Sequence, residues 1–105
     1  MAILKRRSDV MENIPYVMDL LRKQFGVMAE ASDFGYESVL LGKEELDPNL
    51  LPEYFEELQT GEELLIHFYA IEEYIIYVIV DVDDVSWKLV GIIRDGYLAY
   101  SKVCD

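Results

Sequence analysis

The sequence predicts an α+β domain: an N-terminal helix packed on a four- to five-stranded antiparallel sheet, with a short broken acidic helix and a C-terminal hairpin. Three observations lead there. Ile14, Val17, Leu21 and Phe25 recur at helical spacing, with Met18 beside them. The stretch from Glu62 to Asp84, EELLIHFYAIEEYIIYVIVDVDD, is dense in β-branched and aromatic residues on either side of Ile71-Glu72-Glu73. Arg94-Asp95-Gly96-Tyr97 carries an Asp-Gly pair suited to a type I′ hairpin turn. At 105 residues the chain is expected to form one domain, residues 1–105, burying about two-thirds of its unfolded surface.

Met1–Arg7 is a basic start, and a short turn is expected at residues 9–12. Asn13 then caps the main helix, which places Pro15 in the first turn, where its missing N–H costs nothing. Gly26 suits the left-handed position that ends a helix. Val27–Ala31 reads as strand or loop, and Ser32-Asp33-Phe34-Gly35 as a loose turn. Tyr36–Leu41, bounded by Gly35 and Gly42, reads as a strand. Lys43–Gly61 is an acidic connector broken by Pro48 and Pro52 into two short helical pieces, the second covering Pro52–Leu58. Its Leu51, Phe55 and Leu58 are expected inward, with Glu53, Glu56 and Glu57 outward.

Leu64–Ile71 and Tyr74–Val82 form the two central strands. Side chains alternate across a strand, yet neither of these has a polar face. Both sides of the sheet therefore need cover, and one main helix with one short broken helix can cover one face but scarcely two. Tyr69, Tyr77 and Ile79 are accordingly expected to pack against a second copy in a homodimer. Val85–Ile93 follows, with Val85, Trp87, Leu89 and Ile93 on one face, and Tyr97–Val103 closes the hairpin.

Charge narrows the choice of partner. Acidic side chains number 21 against 9 basic ones, a net charge of −12, while a hydrophobic fraction of 52% argues against disorder. The charge is segregated. Residues 30–84 hold sixteen acids and one base, Lys43, whereas the flanking segments are slightly basic. Such a field repels nucleic acid and anionic membranes, which leaves a basic protein surface as the expected partner. The longest uncharged apolar run, Tyr74 to Val80, is too short to cross a bilayer, and Lys5-Arg6-Arg7 precedes no long apolar stretch. A cytoplasmic location is expected.

Catalytic and metal chemistry find little support. Asp81-Val82-Asp83-Asp84 resembles a calcium loop only at its start. Positions five, six and twelve counted from Asp81 hold Val85, Ser86 and Ile92, where an oxygen ligand, a glycine and a glutamate are needed. His67 is the single histidine, and without a second His or a paired Cys it makes no structural zinc site. Cys104 is the single cysteine, so no internal disulfide is available. No Gly-rich phosphate loop occurs. Neither enzymatic activity, nor a cofactor, nor a metal site is expected.

The acids of the connector and its exit form the candidate site: Glu44, Glu45, Asp47, Glu53, Glu56, Glu57, Glu62 and Glu63. Carboxylates on neighbouring helix turns sit roughly 5–6 Å apart, and duplex DNA presents one charge per ~1.7 Å of axis. A surface of this kind imitates nucleic acid and fits a groove built for it. Mixed signs would serve solubility as well with less self-repulsion. The sequence is thus read as a non-enzymatic binding or inhibitor protein, in the manner of immunity proteins, antitoxins or phage inhibitors, directed at a basic, nucleic-acid-binding protein. A homodimeric scaffold module with a merely solvated acidic face is the competing expectation.

Overall fold

The computed structural model describes residues 13–57, 62–82 and 86–104. Helix α1 runs Ile14–Phe25, with Pro15 in its first turn and Gly26 closing it at φ 71°. Asn13 stands at the expected cap, but its side chain bonds the Tyr69 hydroxyl rather than the helix's own N–H groups. The apolar stripe predicted from spacing is buried at Ile14, Val17 and Leu21, joined by Leu20. Arg22 and Lys23 in the last turn both pair with Asp19, one turn back.

Five antiparallel strands follow: β1 (Gly35–Gly42), β2 (Glu63–Ile71), β3 (Tyr74–Asp81), β4 (Trp87–Arg94) and β5 (Tyr97–Val103). They lie in the sheet in chain order, a simple meander. The expected α+β architecture and its C-terminal hairpin are therefore present. Residues 27–30 form neither helix nor strand, and Ala31–Asp33 is a 3-10 turn that leads into β1. The β2–β3 and β4–β5 hairpins use two-residue turns. Asp95 and Gly96 each take positive φ, as a type I′ turn requires, and Glu72 takes φ 51° in the other turn.

The connector departs from the expected broken helix. Its pieces are 3-10 turns at Lys43–Glu45, Pro48–Leu50 and Glu53–Glu57. Pro48 and Pro52 deny two donors within five residues, so no α-helical run can propagate between them. Phe55 is nevertheless buried, as its inward assignment requires, and Leu51 is half-buried. Leu58 lies outside the described residues.

Cover for both faces comes from the chain itself. On one face α1 packs over Leu65, Tyr69, Ile76, Val78, Val90 and Ile92. Ring contacts at its two ends, Tyr16 with Trp87 at 5.4 Å and Phe25 with Tyr74 at 5.2 Å, pin it down. On the other face the connector lays Phe55, Leu46, Leu50 and Leu51 over Leu64, Ile66, Tyr77, Ile79 and Leu89.

This corrects the assignment of Tyr69, Tyr77 and Ile79 to self-association. The register sets Tyr69 opposite Ile76 and Tyr77 opposite Phe68, so the two tyrosines occupy opposite faces. All three are core residues, exposed by only 0%, 3% and 0%. The uncovered face that pointed to a second copy is the floor beneath the connector. Trp87 also changes sides. A bulge pairs Ile79 with Leu89 but Val80 with Trp87, so Trp87 joins the helix face while Leu89 and Ile93 stay under the connector.

Candidate protein-binding surface on the acidic connector

All eight candidate acids, Glu44, Glu45, Asp47, Glu53, Glu56, Glu57, Glu62 and Glu63, are exposed. None takes part in a salt bridge among the described residues. Two serve local backbone roles. The Asp47 carboxylate accepts from the Asn49 N–H at 2.9 Å and starts the second 3-10 turn, and Glu45 accepts from the Gly42 N–H at 3.3 Å. Lys43, the single base of the acidic segment, places its ammonium 5.8 Å from the centroid of the Phe55 ring. It makes no salt bridge with the carboxylates around it among the described residues.

A groove of about 480 Å³ runs through this surface, with Lys43, Glu44, Glu53 and Glu56 about an apolar lining of Leu46, Leu51, Pro52 and Phe55. Beside it, sharing Leu46 and Leu51, lies a second cavity of about 190 Å³ between the connector and the sheet. Five of the eight acids, Glu44, Glu45, Asp47, Glu53 and Glu56, line these two depressions, while Glu57, Glu62 and Glu63 line neither, an arrangement that the sequence pattern alone did not indicate.

Irregular chain carrying like charges needs anchoring, and three ties supply it. The Lys43 N–H donates to the Glu62 carbonyl at 2.7 Å, joining the two ends of the connector. The Tyr77 hydroxyl, rising from β3, donates to the Leu50 carbonyl at 2.7 Å. The Tyr54 hydroxyl reaches Ser101 Oγ on β5 at 2.8 Å. Tyr77, Gly91 and Ser101 are successive partners across β3, β4 and β5. The Tyr77 ring lies against Gly91, where a Cβ would come within 2.2 Å of Tyr77 Cζ. Gly91 is therefore a socket, and a glycine within an apolar strand is the sequence signal that could have revealed it. Burial pushes ionisation of the Tyr77 phenol far above its ordinary range, and nearby Tyr54 adds to the effect. At neutral pH the hydroxyl is a fixed donor.

The remaining chemistry-bearing residues lie elsewhere. His67 is buried on the helix face, with Nδ1 2.7 Å from Ser38 Oγ on the neighbouring strand. The pair has the contact of a nucleophile and a base, but neither residue lines the connector cavities. Asp81 is buried at the end of β3, its N–H bonded to the Ser86 carbonyl, while Asp83 and Asp84 lie outside the described residues. Among the described residues no group of three His, Cys, Asp or Glu is placed to hold a metal ion. Cys104 is half-buried after β5, its N–H bonded to the Lys88 carbonyl. Among the described residues no helix is long and apolar enough to cross a membrane. The chain matches no protein-family model, no curated protein and no solved structure.

Proposed function

We propose that this is a non-enzymatic binding protein that engages a basic protein partner through the acidic connector, acting as an inhibitor of a nucleic-acid-binding protein. One observation carries the reading. Eight exposed carboxylates without an ion pair among the described residues lie on the connector and its exit into β2, and the fold holds the connector in place by side-chain hydroxyls from β3 and to β5. Solubility needs no such anchoring, since charge on a frayed loop solvates as well. Binding does, because a surface ordered beforehand loses less freedom on association. The partner is expected to present Lys and Arg, and the charge field to accelerate encounter.

The test is the complex captured at low salt from the native host, with the identified partner then purified. Binding should weaken steeply with salt, as exposed charges are screened beyond about 8–10 Å at physiological ionic strength. The Glu53→Lys, Glu56→Lys, Glu57→Lys triple variant should slow association roughly tenfold or more. The fold should persist, because these side chains are exposed and make no ion pair among the described residues. A folded triple variant that binds as well as the parent would make the acidic face mere solvation and give the scaffold reading its place.

A further inference from the structure

The smaller cavity has a lining out of keeping with its surroundings. Leu46, Leu50 and Leu51 of the connector and Ile66, Phe68 and Ile93 of the sheet enclose about 190 Å³, in the most acidic part of the chain. Exposed Glu45 and Asp47 line it too, so the space reaches the surface between carboxylates. Apolar walls without partner atoms forfeit dispersion contacts and give water little to bond. A cavity of roughly 150 Å³ lined by Leu, Ile and Phe suffices to hold benzene. There is room here for one leucine, methionine or phenylalanine side chain.

We infer that this cavity is an anchor pocket for a partner segment in which one apolar side chain is flanked by lysines or arginines. The inference rests on the acidic-surface reading and adds a residue-level specificity to it. Charge complementarity selects the occupant. The apolar side chain enters between Glu45 and Asp47, and basic neighbours in the segment meet those carboxylates. Others lie over the adjoining groove, where Glu44, Glu53 and Glu56 surround the shared wall of Leu46 and Leu51. A free apolar compound would leave the carboxylates unused, and an anionic membrane would be repelled by them. Buried apolar anchors ringed by polar contacts are the usual source of affinity at protein interfaces, with charge governing encounter.

Two synthetic peptides test this on the full chain. Both are blocked at the ends and built of lysine and arginine; one has a central leucine and the other an alanine in its place. Calorimetry at low salt should show the leucine peptide binding roughly tenfold tighter or better, the difference arising from the extra buried methylenes. In a methyl-labelled sample only that peptide should shift Leu46, Leu51 and Ile66. Leu50→Phe, which fills the cavity from its wall, should remove the preference and retain binding of the alanine peptide. Should that variant fail to fold, the peptide comparison and the methyl shifts in the parent protein still decide. Equal affinities would overturn the anchor pocket and leave the acidic surface intact, since the peptides carry the same charge. A preference for leucine with shifts elsewhere than the cavity methyls would likewise overturn it. Binding by neither peptide would also overturn it, and the salt dependence of the captured partner would then judge the acidic surface separately.

Discussion

Replacing Gly91 by alanine should unseat the acidic connector from a distance. The added Cβ would lie 2.2 Å from Tyr77 Cζ and 2.4 Å from its hydroxyl oxygen, so the ring must move. It has little freedom to do so, being 3% exposed and hydrogen-bonded to the Leu50 carbonyl at 2.7 Å. Overpacking of this kind costs about 1–3 kcal/mol, and losing the hydroxyl tie adds about 0.5–1.5 kcal/mol. The total, about 1.5–4.5 kcal/mol, is a large share of the 5–15 kcal/mol typical of a domain. For a chain of this size it corresponds to a fall in Tm of roughly 7–20 °C. Urea unfolding of the parent, Gly91→Ala, Tyr77→Phe and the double variant tests the mechanism as a cycle. Tyr77→Phe should cost about 0.5–1.5 kcal/mol in the parent and much less once Gly91→Ala has already displaced the hydroxyl. Hydrogen exchange should quicken in the 3-10 turns at Pro48–Leu50 and Glu53–Glu57 while α1 keeps its protection. A Gly91→Ala variant within 0.5 kcal/mol of the parent, or a Tyr77→Phe cost unchanged by it, would refute the socket (the first figure being the usual scatter of inconsequential substitutions).

Three further outcomes follow from the same geometry. Ser101→Ala removes the partner of Tyr54 and should cost about 0.5–1.5 kcal/mol, with faster exchange confined to the Glu53–Glu57 turn and little change at Leu50. Glu72→Asn should raise stability by roughly 0.5–1 kcal/mol, because Asn tolerates the left-handed backbone that Glu72 adopts at φ 51°; Glu72→Gln, which removes the charge without that tolerance, is the control, and equal gains would refute the backbone argument. Stability should also fall in alkali. Burial raises the Tyr77 and Tyr69 phenols above their ordinary 10.0 in the folded chain, so their contribution is complete below that value and is lost as pH rises through the folded one. Urea midpoints that decline above about pH 10, with a shallower decline in Tyr77→Phe, would bear this out, and a Tyr77→Phe profile identical to the parent's would contradict it.

What could be read from the chain was what short-range chemistry dictates. Pro15 and Gly26 bound α1 because a proline is tolerated only in a first turn and a left-handed residue stops a helix. Asp95-Gly96 gives the last hairpin because both residues accept positive φ. The outward placement of the connector acids followed from the cost of burying charge, which holds whatever the fold. Tertiary structure alone decided the rest. The cover for the second face is made of 3-10 turns around Pro48 and Pro52; spacing placed Phe55 and Leu51 inward, but so short and broken a segment did not show that it would lie over the face opposite α1. Without that cover in view, the apolar faces of β2 and β3 pointed to a second copy, whereas Tyr69 and Tyr77 are buried on opposite sides of one sheet. Trp87 crossed to the helix face through one bulged residue, since a shift of one reverses every side chain beyond it. Gly91, Tyr77 and Leu50 meet only because the sheet register lays the ring over a missing Cβ and aims its hydroxyl at a carbonyl 27 residues earlier. Contacts of that separation depend on where the folded backbone brings two elements together, and no local propensity encodes them.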